Sequence, residues 1–320
     1  MVHGSRATTS DDVVIIRYSN AFRWLDKACI KSEEGLIKES PWRVCSMRQV
    51  DQVKILISVI PIFACTIVFN TILAQLQTFS VQQASTMNTK LTKTFSIPPA
   101  SLQAIPYILL IFLVPLYDFV FVPLARKFKG QGNKYDITPL QRIGLGLFFA
   151  TFSMVAAAIM ENKRRNSSSH RVIMSVFWIT PQYVIFGVSE MLTAVGLIEF
   201  FYKQPLKGMQ AFSTAITYCS YSFGFYLSSV LVSVVNKVTG RSSSHASGWL
   251  ADNDLNKDRL DLFYWILAAI SFLNFLNYLL WSTWYLRVRS SSSSSPTVLF
   301  HEHEDFNSNN KKSIVGWNDV

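Results

Sequence analysis

Charge is scarce in this sequence. Of 320 residues only 16% are Asp, Glu, Lys or Arg, while 50% are apolar, and the mean hydropathy is positive. Soluble domains carry about 25% charged residues, so the shortfall argues for a chain that crosses a membrane several times. Histidine is also sparse. His3, His170, His245, His301 and His303 all fall outside the apolar segments, which argues against a histidine-ligated haem or an intramembrane zinc. The four cysteines, Cys29, Cys45, Cys65 and Cys219, have no CxxC or other metal spacing. Cys65 and Cys219 sit in apolar stretches and read as packed thiols, with no disulfide implied. There is no phosphate-binding GxxxxGK[ST] loop, no GxSxG nucleophile elbow and no HExxH zinc motif. Neither an enzyme nor a resident cofactor or metal is expected. The first thirty residues lack an apolar core of the kind a cleavable signal peptide needs, so the first span is expected to direct insertion.

Six long apolar segments remain, at 53–79, 100–124, 140–160, 172–201, 209–235 and 260–284. The expectation is an all-α membrane protein in three parts. Residues 1–52 form a polar cytoplasmic segment, with Phe22–Ile30 a short amphipathic stretch. Residues 53–288 form the six-span bundle, and 289–320 a polar, serine-rich tail expected to be disordered. The His301-Glu302-His303-Glu304 run in that tail reads as solvated. Pro61, Pro106, Pro115 and Pro181 interrupt the spans, as membrane helices tolerate when neighbours satisfy the freed backbone groups. Trp265, Trp281, Trp284, Tyr264 and Tyr285 lie towards the two ends of the last span, as interfacial anchors do. The formal charge of +10 is scattered through loops, so it points to membrane orientation and not to nucleic acid. Counting Lys and Arg, 20 fall on the side that carries both termini (Lys54 included) and 10 on the other. By the positive-inside rule both termini are cytoplasmic. The basic loop Glu161–Arg171, assigned to the outside, weakens that count without reversing it.

The polar residues inside these spans are the candidate site. Glu190 is flanked by apolar sequence on both sides, and an ionised acid at mid-depth costs about 3 kcal/mol by insertion scales. It is either an acid buried neutral and hydrogen-bonded, or a carboxylate that gains and loses a proton as a cavity opens to each side. Glu199 follows nine residues later, on the opposite helix face, so the two acids are not a catalytic pair. In the first span Thr66, Asn70, Leu73 and Gln77 share one face. Such a stripe lines a cavity or bonds another helix. In the fifth, Ser213, Thr214, Thr217, Ser220, Gly224 and Ser228 suit close helix packing. Asn274 and Asn277 share a face in the sixth and suit inter-helix hydrogen bonds. Asp118, with Arg126 about 12 Å further along the helix axis, is either a latch at a cytoplasmic gate or a topology-setting charge.

Several stretches then carry a specific resemblance. FRWLDKACI, WRVCSMRQVDQVKILISVIPIFACTI, FNTILAQLQTFSVQQASTMNTK, IPPASLQAIP, VPLYDFVFVPLARKF, LQRIGLGLFF and IEFFYKQPLKGMQ resemble, in order, the C-terminal half of the plant nitrate/peptide transporters. These are proton-coupled oligopeptide transporters of the major facilitator superfamily. The wording of the first span is most similar to the subfamily with abscisic acid, gibberellin and nitrate carriers. The resemblance implies the C-terminal six-helix bundle of a twelve-helix symporter with alternating access. Its driving force would be the proton gradient, and its substrate a small anion or organic acid such as a hormone, nitrate or a peptide. Glu190 matches the acid of helix ten that serves proton coupling or gating and pairs with a lysine of the other bundle. Asn70, Leu73 and Gln77 would line the substrate cavity. Leu73 stands where a nitrate-transporting relative has a histidine, which disfavours nitrate by that route; Leu197 replaces a usual glutamine. The helix-one acidic motif and the helix-four basic residue have no counterpart here. The alternative is therefore a truncated half-transporter or partial gene model, inactive alone and acting at most as a membrane interaction subunit with a second six-helix bundle in trans. The plasma membrane is the expected location, with the vacuolar membrane second.

Overall fold

Each apolar segment becomes a helix because a chain in hydrocarbon must satisfy its backbone polar groups internally. In a computed structural model of the chain, residues 14–17, 22–27, 47–93, 95–117, 119, 123, 138–170, 172–202, 209–242, 248–250, 255, 258–293 and 297–300 are described. The chain divides into two units, Met1–Ile55 with Leu286–Val320, and Leu56–Tyr285. In the first, β1 (Val14–Arg17) pairs antiparallel with β2 (Thr297–Phe300), Val14 opposite Phe300. Within the tail read from sequence as disordered, the apolar TVLF segment pairs as a strand with VIIR. The amphipathic stretch after Phe22 contributes one helical turn, α1 (Arg23–Asp26).

The spanning helices are α2 (Met47–Ser85), α3 (Ala104–Leu116, entered through a 3-10 turn at Pro99–Gln103), α4 (Pro139–Ser169), α5 (Thr180–Tyr202, entered through Val176–Ile179), α6 (Met209–Ser242) and α7 (Leu260–Ser293). Among the described residues, six helices are long and apolar enough to cross a membrane. α7 runs nine residues past its expected end, and α4 does the same, continuing through ENKRRNSSS, read from sequence as loop. Its start is set by a capping box: the Thr138 hydroxyl accepts from the Gln141 amide and the Gln141 side chain accepts from the Thr138 amide, with Pro139 at the first helical position. Its extension survives because Glu161 and Arg164, one turn apart, neutralise each other inside the bundle.

In the second unit α5 packs chiefly against α4 and then α3. The α4–α5 seam is narrow because glycines let the backbones meet. A Cβ on Gly146 would lie 2.1 Å from Thr193 Oγ1 and 2.9 Å from the Ser189 carbonyl. The Ser189 hydroxyl donates to the Gly146 carbonyl at 2.6 Å. Gly146→Ala is expected to force the helices apart, lowering stability by about 1–3 kcal/mol. Thr193→Ala relieves only part of that clash, because the Ser189 carbonyl stays in place. Thermal unfolding in detergent of the single and double variants checks both expectations. Further in, Phe69 stacks on Phe186 with centroids 5.6 Å apart, and Phe79 meets Phe263 edge-on at 5.3 Å. The last span is tied to the first as its asparagines suggest: Asn274 Nδ2 donates to the Cys65 carbonyl at 3.0 Å, and Asn277 Nδ2 to Cys65 Sγ at 3.6 Å. Cys65 is buried as expected, but Cys219 is exposed on α6. Ile111, Phe112, Leu273 and Leu280 also point outward, apolar exposure suited to lipid or a partner helix.

Candidate functional site

A cavity of about 610 Å³ opens between α2, α3, α5 and α6. Helical periodicity builds its walls. Thr66 and Asn70 recur four apart on α2; Glu190, Thr193 and Leu197 follow the i, i+3, i+7 pattern on α5; Thr214, Thr217 and Tyr221 do the same on α6. Phe69, Tyr107, Tyr218 and Tyr221 add aromatic surface. Glu190 is 5% exposed and its Oε2 has no hydrogen-bond partner among the described residues. The described lining contains no Lys or Arg. An acid thus stands at the wall of a cavity whose described lining offers it no opposite charge.

The expected α2 stripe is divided between three tasks. Asn70 lines the cavity and its Nδ2 donates to Ser220 Oγ at 2.9 Å, tying α2 to α6. Gly224, one turn beyond Ser220, permits that approach; a Cβ there would sit 2.5 Å from the Asn70 Cβ. Gln77 is placed outside the described lining. Its Nε2 donates to the Tyr107 hydroxyl at 3.1 Å, and its carbonyl accepts from Gln103 Nε2 at 3.0 Å, so it holds an aromatic wall in position. Leu73 goes into the hydrophobic core, 3% exposed. Polar bonds between membrane helices contribute about 0.6 kcal/mol on average. An Asn70→Ala, Ser220→Ala double-mutant cycle read by thermal unfolding is expected to return a coupling of about that size.

Glu199, on the helix face opposite Glu190, pairs with Arg142 at 2.5 Å between α5 and α4. The Arg142 guanidinium also lies 4.9 Å from the centroid of the Tyr117 ring. Fifty-seven residues separate these partners, and no local signal joins them. The Glu161–Arg164 pair was missed for a different reason. Its spacing of three is a helix signal, but in a stretch so polar it reads as solvated loop. Arg165 pairs with Asp261 beside it. Asp118 and Arg126 lie outside the described residues. No group of three or more His, Cys, Asp or Glu able to hold a metal occurs among the described residues.

The chain is similar to two Arabidopsis thaliana proteins in particular. It is 66% identical over 300 residues to Protein NRT1/ PTR FAMILY 4.4, covering 92% of this chain and 48% of the relative. It is 62% identical over 306 residues to Protein NRT1/ PTR FAMILY 4.3, covering 95% and 51%. The chain therefore spans about half the length of the curated relatives it matches. Its fold resembles the crystal structure of the POT family transporter PepTSo, with TM-score 0.59 at 19% identity, over 76% of this chain and 44% of that one. It also resembles an auto-inhibited POT family peptide transporter, with TM-score 0.55 at 21% identity, over 82% and 44%. The family model described as PTR2, POT family, matches residues 7–250. A bundle of six spanning helices, an acid-walled cavity and these matches lead to one conclusion: this multi-pass membrane chain belongs to the POT family.

Proposed function

We propose that the chain supplies the C-terminal half of a proton-coupled symporter for a small anion or organic acid, with Glu190 as its coupling or gating acid. The observation that carries this reading is Glu190 itself, buried at the cavity wall with an unpartnered carboxylate oxygen. A protonated Glu190 can donate to an anionic solute, whereas an ionised one repels it, so proton and solute enter favourably together. Asn70 lines the cavity and Gln77 shapes it through Tyr107, while Leu73 acts from the core behind the wall. The aromatic lining favours an organic acid with an apolar body, a plant hormone or peptide, over nitrate. The subfamily with abscisic acid, gibberellin and nitrate carriers enters this proposal on the wording of the first span alone. The functional setting is the plasma membrane, with both termini cytoplasmic and Asp118 and Arg126 at the cytoplasmic side.

A second reading rests on length. Because the chain spans about half of its relatives, alternating access between two bundles requires a second six-helix bundle. In this reading the six helices carry solute only when joined to such a bundle, in the same chain or in trans. The deciding assay is uptake of labelled hormones, nitrate and dipeptides at two external pH values. It compares this chain alone, this chain co-expressed with an N-terminal six-helix half, and the fused form. Acid-stimulated uptake confined to the paired or fused forms supports both readings together. Absence of uptake by all three forms overturns the symporter reading.

A further inference from the structure

Another cavity, of about 480 Å³, lies where α4 finishes and α7 begins. None of its described lining is shared with the Glu190 cavity. One wall comes from α4, where Asn162, Arg165, Asn166 and Ser169 recur at i, i+3, i+4 and i+7, a single helix face. That face exists because α4 continues past the apolar run that ends at Met160. Asp261, in the first turn of α7, and Arg259 just before it supply the other wall. Arg165 Nη1 and Arg259 Nε both donate to Asp261 Oδ1, the second at 3.4 Å. One carboxylate oxygen therefore serves two guanidiniums from different segments of the chain.

The described lining holds two arginines, one acid and four neutral polar residues, and no apolar side chain. It carries one formal positive charge in excess. An apolar solute would find nothing there to bury against, and a cation would meet two guanidiniums. An oxyanion fits. Each guanidinium has five N–H donors, of which Asp261 takes one, and the Asn162 and Asn166 amides can donate to a further oxygen. The Asn166 and Ser167 carbonyls at the end of α4 would repel an anion, but they accept from the His170 and Val172 amides. Two neighbouring acids lie outside the described lining: Glu161 is 0% exposed and held by Arg164, and Asp258 is 5% exposed. We propose that this cavity binds a phosphoryl oxyanion, presented by a lipid headgroup or as free phosphate. Arg165 and Arg259 grip it, since a guanidinium matches phosphate oxygens two at a time, and Asp261 holds the two forks together. The level of the site suits a headgroup. Asn162 to Ser169 covers about 10 Å of axis beyond the apolar run. At that level Lys163 Nζ lies 4.0 Å from the Trp178 ring centroid, and tryptophan concentrates at membrane interfaces.

The test uses the whole chain in detergent at fixed ionic strength, with the thermal midpoint as readout. The probes are inorganic phosphate and dioleoyl phosphatidic acid; the blanks are sodium chloride and dioleoylglycerol, which lacks the phosphoryl group. Near saturation, phosphatidic acid is expected to raise the midpoint by about 2–4 °C. A rise with phosphatidic acid alone assigns the site to lipid, and a rise with inorganic phosphate assigns it to the free anion. Arg165→Gln and Arg259→Gln are each expected to raise the probe concentration needed by about 10- to 100-fold, the loss of a charged hydrogen bond. Asn166→Asp, at an exposed position on the same helix face, puts a second acid in the lining without touching either ion pair. It is expected to weaken binding equally, and it decides the matter if an arginine variant does not fold. Lys163→Gln, exposed at the same end but outside the described lining, is expected to respond as the wild type does. No rise with either probe overturns the proposal, as does a rise that Asn166→Asp leaves intact or that Lys163→Gln abolishes.

Discussion

Glu190→Gln, placed in a carrier whose C-terminal half is this chain, is expected to lower acid-stimulated uptake by about 5- to 150-fold, the span of typical coupling free energies between two sites. Glutamine keeps the size of the side chain and one carbonyl acceptor, and adds an amide donor. What it loses is the ability to release a proton. The cavity wall around residue 190 stays polar through Thr193 and Asn70, so solute binding can persist while its link to the proton gradient disappears. The measurement is the initial uptake rate at two external pH values, with and without a protonophore. Glu190→Asp retains the titrating group but withdraws it from the wall by one methylene, so partial recovery of pH dependence is expected. Wild-type rates and pH response in the glutamine variant would remove Glu190 from the mechanism.

Breaking the buried pair on α4 should be costlier to folding than any change at the cavity. Arg164→Met leaves the Glu161 carboxylate fully buried without its bidentate partner. Losing one member of a buried ion pair costs about 3–5 kcal/mol, because the remaining charge stays desolvated. Replacing both, as Glu161→Leu with Arg164→Met, removes the uncompensated charge together with the pair. That double variant is expected to lie within about 1–2 kcal/mol of the wild type, on either side, since apolar replacements of whole buried pairs are often neutral or stabilising. Thermal midpoints of the two single variants and the double in one detergent close the cycle. A double variant as unstable as the singles would show that the pair contributes through its hydrogen bonds to Thr86 and the neighbouring amides, and not through charge balance alone.

Much of the fold was legible because hydrocarbon imposes a simple rule. Apolar runs of spanning length must be helical, so six runs became six helices, and the asparagines of the last span bonded the first as their shared face suggested. Glycine and serine on the fifth span likewise mark the place where α6 closes on Asn70. Glu190 stood out for a reason of composition alone, as an acid surrounded by apolar sequence. The departures have physical causes too. The segment after Met160 looks like loop by hydropathy, which counts Glu161, Lys163, Arg164 and Arg165 as separate costs. In the folded chain Glu161 and Arg164 cancel one another, while Arg165 finds Asp261 on α7, and the helix runs on for nine more residues. Leu73 and Gln77 share a helical stripe with Asn70, but a stripe wide enough to touch three neighbours cannot assign each residue to one of them.

Composition and spacing by themselves thus determined a six-span helical bundle and a mid-span acid, because membrane insertion reads local hydropathy and helical periodicity reads local spacing; the family resemblance was carried by the wording of particular stretches. Tertiary structure alone decided that Glu190 meets a cavity, that Leu73 turns into the core and that Gln77 supports Tyr107. It also joined Arg142 to Glu199 and Gln182 to Ser80. Those outcomes depend on which helix faces which, and that is set by glycine contacts and inter-helix hydrogen bonds between residues far apart in the chain, such as Gly224 with Asn70 and Gly146 with Thr193.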